Sequence, residues 1–327
     1  MADVDISTIK PSFEREFSDI KAPVFDHMPE MQPYLTQPKA MYVGVPGKMG
    51  YLNLTFEKND EGKSILRDLD RRAPLIVQQE LYFDSELPDM PCVYILSSGG
   101  PNVDGDRYLQ NITVRKDAMA YVSTGAATKI AVMKYNFSGM EQHLTVEDGG
   151  YLEFLPEPTY PSRHARFACR TTAKVAPTGT LVYSEIYMCG RKYYGEGERF
   201  EYDILSVSTE GQRLDGTPLY CEKFIIDPKH EPVRITGVMG DFDVFANVVV
   251  MLPEDKAEEV FEITKAFIDR ETPLMAGITR LPNKAGLLYK VLGTEPGPLK
   301  LAVREFCSTV RKAVKGVPVP EEFPWRK

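Results

Sequence analysis

Over residues 41–252 apolar and polar side chains alternate in short runs, the two-residue period of half-buried strands. Leu52, Leu54 and Phe56 interleave with polar neighbours, and comparable runs follow at 74–83, 93–96, 111–114, 118–123, 129–135, 143–146 and 151–155. Others occupy 166–172, 180–188, 200–207, 220–226 and 244–252. Turn-forming residues stand between them, among them Lys116-Asp117, Asp148-Gly149-Gly150, Pro177-Thr178-Gly179 and Asp215-Gly216. Many short strands with almost no helical period exclude a doubly wound α/β fold. The pattern predicts a mainly β protein: a large sandwich, barrel or β-solenoid.

The period changes to helical only near the end. Pro253-Glu254-Asp255 places proline and acid where a helix start favours them, and Ala257, Val260, Phe261, Thr264, Phe267 and Ile268 form one face. A second helix over 298–315 aligns Leu299, Val303, Phe306, Val310 and Val314, with Arg311, Lys312 and Lys315 in its last turns before Gly316. Residues 1–40 differ from the rest. Pro11, Pro23, Pro29, Pro33 and Pro38 punctuate them, while Phe13, Phe17 and Ile20 are spaced for one short amphipathic helix. This reads as an arm, either lying on the body or partly disordered, ahead of a single β domain over 41–327.

Composition narrows the function by exclusion. The 327 residues carry 39 Lys and Arg against 47 Asp and Glu, a net charge of −8, without a basic block, which argues against nucleic acid as a partner. The acidic start lacks a secretory signal, and the longest apolar stretch, 244–252, is too short to span a bilayer. The expectation is a soluble cytoplasmic protein. Five scattered cysteines (Cys92, Cys169, Cys189, Cys221, Cys307) and four separated histidines (His27, His143, His164, His230) form no metal clip. Gly62-Lys63-Ser64 ends like a phosphate loop, but Glu57 stands where that motif needs glycine. No GxSxG elbow occurs, and the calcium-loop pattern from Asn102 fails at Arg107 and Thr113. Local motifs supply no nucleophile with its base.

An ordered set of segments carries the reading further. It begins with Ala73-Pro74-Leu75-Ile76-Val77-Gln78, Cys92-Val93-Tyr94-Ile95-Leu96-Ser97-Ser98-Gly99-Gly100 and Asp104-Gly105-Asp106-Arg107. It continues through Thr124-Gly125-Ala126-Ala127-Thr128-Lys129, Gly150-Tyr151-Leu152-Glu153-Phe154-Leu155-Pro156, Glu185-Ile186-Tyr187-Met188-Cys189-Gly190-Arg191 and Glu222-Lys223-Phe224. From about Met41 to its end the chain resembles the urease accessory protein D family (UreD, also UreH). The resemblance implies a β-rich, helically wound, β-helix-like body with two helices near the C-terminus. It also implies a non-enzymatic chaperone for nickel insertion. Such a protein links apo-urease to accessory protein F and, through F, to the GTPase accessory protein G, and passes nickel along an internal tunnel. No tightly bound cofactor is implied, only transient Ni2+. Ser97-Ser98 stands where the family often has two prolines, and Asp104-Gly105-Asp106 where it often has Gly-Gly-Asp.

The resemblance places Asp106, Glu185 and Glu222 on the tunnel wall as transient nickel sites. Each has a plainer reading. Asp106 follows a glycine turn and suits a carboxylate capping its own turn; Glu185 and Glu222 interrupt apolar strands and suit the solvent side. Carboxylates fit ion transit because a conduit must bind weakly and at several points, whereas imidazole and thiolate hold nickel firmly. Cys189 and Cys221 read as buried structural thiols, and Tyr183, Tyr187, Tyr193 and Tyr194 as packing or interface residues. Two alternatives remain open: an inert adaptor, and a hydrolase pairing Asp106 with Glu185 or Glu222 as acid and base.

Overall fold

The computed structural model describes residues 20–35 and 47–321, together with the backbone of Glu16–Phe17. Short β1 (Glu16–Phe17) and β2 (Ile20–Lys21) pair antiparallel. There follow β3 (Met49–Lys58), β4 (Ser64–Arg72), β5 (Leu75–Ile76), β6 (Cys92–Ser97), β7 (Arg107–Val114), β8 (Met119–Thr124) and β9 (Thr128–Ile130). Then come β10 (Ser138–Val146), β11 (Tyr151–Phe154), β12 (Thr159–Pro161), β13 (Arg166–Val175), β14 (Thr180–Met188), β15 (Ile204–Gln212) and β16 (Pro218–Ile226). The chain closes with β17 (Val244–Met251), α1 (Glu254–Ile263), β18 (Phe267–Asp269), β19 (Leu274–Arg280), β20 (Gly286–Gly293) and α2 (Pro296–Lys315).

Two sheets face each other. The seven-stranded one runs β16-β15-β13-β10-β7-β3-β4, and the eleven-stranded one β18-β19-β20-β17-β14-β11-β8-β6-β5, with β12 and β9 attached. From β7 onward the chain crosses between the sheets, β7 to β8, β10 to β11 and β13 to β14. Each of these strands pairs in parallel with its counterpart from the preceding pass. Crossing this tightly needs left-handed backbone at the corners, and Asp117 (φ 58°) and Gly149 (φ 65°) provide it. Beyond β14 the second sheet grows by the antiparallel strands β17, β20, β19 and β18.

The mainly β expectation with two helices near the C-terminus holds. Leu299, Val303, Phe306 and Val310 are buried along α2, the Tyr289 and Phe306 rings stack at 4.3 Å, and Gly316 ends the helix at φ 78°. Helix α1 stops short of the predicted face. Thr264 turns extended and donates to the Val260 carbonyl, so Phe267 and Ile268 lie exposed on edge strand β18. Of the run 74–83 only Leu75 and Ile76 are strand, and β4, β19 and β20 lie outside the predicted runs.

The amphipathic helix expected of Phe13, Phe17 and Ile20 is not formed at the described positions. Phe17 and Ile20 pair across β1 and β2, and Phe13 lies outside the described residues. The next part of the arm does lie on the body. Phe25, Met28 and Met31 bury against Phe137, Ala168 and Ile204 on the outer face of the seven-stranded sheet. The Phe25 ring fills the space where a side chain at residue 139 would stand, which is why Gly139 serves there. Glu30 accepts from Ser206 and pairs with Lys223 at 2.8 Å. No helix among the described residues is long and apolar enough to cross a membrane.

Candidate functional site

In a two-sheet body the inward positions recur every second residue, and most of them here are apolar. One level is not. Register aligns Gln110, Gln142, Thr171, Thr209 and Glu222 in a row across β7, β10, β13, β15 and β16. On the opposite sheet Glu185, Asn247 and Lys290 align across β14, β17 and β20. Two to four residues along the strands from this level the interior is apolar again. Ile112, Leu144, Ala173, Leu181 and Val249 lie on one side, and Phe167, Tyr187, Leu205 and Val207 on the other, with Phe224 and Phe245 against them. Burying polar groups between apolar layers is costly unless they find partners.

Most of them do. Gln142 donates to Gln110 at 2.9 Å, and Thr171 donates to Gln142 Oε1 at 3.0 Å. The Tyr183 hydroxyl bridges the sheets, 3.0 Å from Gln142 Oε1, 3.1 Å from Thr171 Oγ1 and 2.9 Å from Glu185 Oε1. With one proton, it can donate to only one of the two carbonyl-type oxygens at a time. Lys290 donates to Glu222 across the sandwich, so the row ends at the surface, where the Lys290 side chain is half exposed.

Glu185 is buried and its carboxyl titrates at about 7 rather than 4.5. Loss of hydration on burial is the main cause, and the Glu222 charge pushes the same way. The Tyr183 and Tyr187 hydroxyls and the Lys290 charge act against it. Beside it lies an interior cavity of about 50 Å³, lined by Gln110, Gln142, Cys169, Tyr183 and Glu185 among others, room for a few waters. A second cavity of about 270 Å³ lies between Leu75, Ser97, Gly100, Asn102, Tyr108 and Lys129. Both are bordered by Gln110, Thr124, Thr128 and Met140, so the polar row adjoins a larger opening.

Glu185 and Glu222 thus share one interior level on opposite sheets, within electrostatic reach of each other, while Asp106 belongs elsewhere. It precedes β7 by one residue, four positions from the Gln110 level, and borders neither cavity. Its carboxylate accepts the Val103 N–H at 3.0 Å and the Lys48 N–H at 2.8 Å. The Tyr108 hydroxyl donates at 3.1 Å, and the Lys48 ammonium sits 3.2 Å away. Asp106 therefore closes its own turn. Neighbouring Asp104 does similar work, accepting the N–H groups of Lys134, Tyr135 and Asn136. Arg107 is buried against the Phe137 ring and donates to the Phe137 carbonyl and to Asn136. The Asp-Gly-Asp-Arg segment is a loop-ordering knot.

Among the other candidates, Cys189 is buried as expected, but Cys221 is exposed because β16 is an edge strand and turns it outward. Tyr183 and Tyr187 are buried; Tyr193 and Tyr194 are exposed. Among the described residues no three His, Cys, Asp or Glu side chains gather as a metal cage. Sequence reasoning did not single out Gln110, Gln142, Thr171, Asn247 or Lys290. The available signal was a polar residue at an inward-parity position, returning once per pass of the chain.

Comparison with known proteins fits this architecture to a family. The sequence profile described as UreD urease accessory protein matches residues 48–326. Urease accessory protein UreD 2 of Brucella suis biovar 1 is 42% identical over 296 residues, covering 90% of this chain and 98% of that protein. Urease accessory protein UreD of Yersinia pseudotuberculosis serotype O:1b is 41% identical over 298 residues, covering 91% of this chain and 92% of its own length. The chain therefore belongs to the UreD family of urease accessory proteins.

Proposed function

We propose that this chain is a non-enzymatic scaffold in urease maturation that passes nickel to apo-urease along the polar row between its two sheets. It does so while joined to urease accessory protein F and, through it, to the GTPase accessory protein G. The observation that carries this reading is the row itself: amides, hydroxyls and two opposed carboxylates crossing an otherwise apolar interior beside two adjoining cavities. A structural core gains nothing from such a layer, since apolar residues of similar size would pack there without hydrogen-bond demands.

The donor set suits passage. Single carboxylates and neutral oxygens replace part of an ion's hydration at several weak points, so no one position holds it. Glu185 and Glu222 act as the stepping points, and Gln110 and Gln142 lead to them from the larger cavity. Asp106 acts by fixing the turn ahead of β7 and so the shape of that loop.

The test is urease matured by co-expression with Glu185→Gln/Glu222→Gln, both substitutions keeping size and hydrogen bonding. The expected result is unchanged co-elution with accessory protein F and urease, and nickel content reduced at least severalfold. Full nickel content with the double variant would remove the passage and leave an inert adaptor.

A further inference from the structure

We propose that Lys290 is a built-in competitor for the cation position between Glu185 and Glu222, and that an arriving divalent ion must displace it. This rests on the passage reading above but concerns affinity rather than delivery. Lys290 shares a level with Asn247 and Glu185 on neighbouring strands and reaches across to Glu222 on the opposite sheet. The two carboxylates are close enough to influence one another, and the lysine charge acts on both.

A second feature points to a ligand at the same place. The Tyr220 hydroxyl, on a side chain only 7% exposed, has no hydrogen-bond partner, yet lies within electrostatic reach of both Glu185 and Glu222. Tyr220 precedes Glu222 by two residues and shares its inward face. A buried hydroxyl left without a partner is costly, and a guest bound by the carboxylates would supply one.

With both carboxyls ionised, Glu185 and Glu222 make an oxygen-donor pair of net charge −2, which an ammonium neutralises by half, with the Tyr220 hydroxyl in electrostatic reach. A divalent ion satisfies it fully and can take more oxygen ligands than an ammonium, which offers only three protons. Lys290 is free to yield, because its side chain is half exposed and swings into water without burying its charge elsewhere. Competition from a tethered cation keeps the site weak, which a conduit requires.

Equilibrium dialysis of the full chain against Ni2+ alone tests this. Lys290→Met is expected to bind one Ni2+ about tenfold more tightly than the parent. Lys290→Gln, which is polar and equally uncharged, should do the same, whereas Lys290→Arg, which keeps the charge, should not. Adding Glu185→Gln to Lys290→Met should cancel the gain. No gain in either uncharged variant, or a gain that survives Glu185→Gln, overturns the proposal. Urease nickel content with the Glu185→Gln/Glu222→Gln chain is read separately. A cancellable gain with normal urease nickel supports the competitor and removes the passage, while no gain with lowered urease nickel does the reverse.

Discussion

Arg311 projects from helix α2 onto Asp84 and Glu153 beneath it; Glu185, Glu222 and Lys290 lie across the sandwich. Each group holds two carboxylates and one basic side chain. In the first all three side chains are fully buried. Arg311 forks onto both oxygens of Glu153 at 2.8 and 2.6 Å and reaches Asp84 at 2.6 Å. Tyr151 adds a hydroxyl to Glu153 at 2.5 Å, and the second Asp84 oxygen accepts the N–H groups of Glu86 and Leu87. Burial works against the Arg311 charge, but the pull of Glu153 more than offsets it. In the other group the cation is a half-exposed lysine paired with Glu222, and Glu185 has phenol hydroxyls and a cavity. A planar fork that uses its donors makes a fastener; a point charge on a flexible stem makes an exchangeable contact. Asp106, held by two backbone N–H groups and a tyrosine, belongs with the fasteners.

The sharpest way to break this contrast is Arg311→Met, a substitution that leaves two buried carboxylates without their cation. Stability should fall by about 3–5 kcal/mol, read as a lower urea midpoint, because the penalty falls on charges that cannot reach water. A loss below about 1 kcal/mol would mean that the cluster relaxes and is no fastener.

Glu185→Gln should act in the opposite direction. The native carboxyl titrates at about 7 and the unfolded one near 4.5. Below pH 4.5 both states hold the proton and the residue is neutral in its effect. As pH rises from 4.5 to 7 the unfolded chain releases its proton while the native one keeps it, so stability is lost through that window and stays lost above it. Glutamine removes that loss, and at pH 8 the variant should be more stable by on the order of 3 kcal/mol. Thermal melts at pH 4.5 and 8 check it: a gain equal at both pH values would dissolve the distinction between the two clusters.

Much of this body was legible because its strands obey period two. Leu52, Leu54 and Phe56 are buried as their alternation says, and the α2 stripe is buried from Leu299 to Val310. The chain did not advertise Phe267 and Ile268 as strand, because α1 ends at Thr264 with the helical face still apolar beyond it. The polar row was harder for a physical reason. Parity says which residues share a face, but not which face is inside, so Glu185 read equally well as interior or solvent. Gln110 and Gln142 are 32 residues apart and become neighbours only through one full pass of the chain. Lys290 sits in β20, whose glycine-bounded run shows no clean alternation: Gly286, Leu287, Leu288 and Tyr289 are all buried. The family resemblance located Glu185 and Glu222; only the register located their neighbours.

The smallest stability effect should come from Glu222→Gln, and its smallness is informative. The Glu222–Lys290 pair holds side chains 26% and 51% exposed, so water screens the attraction and ordering two long side chains offsets part of it. Losing it should change stability by less than about 1 kcal/mol, and raising salt should shrink even that difference. Melts of parent and variant at low and high ionic strength measure it. A salt-independent loss of several kcal/mol would make Glu222 a fastener like Glu153, its lysine would then be no displaceable guest, and the two interior clusters would differ in exposure but not in kind.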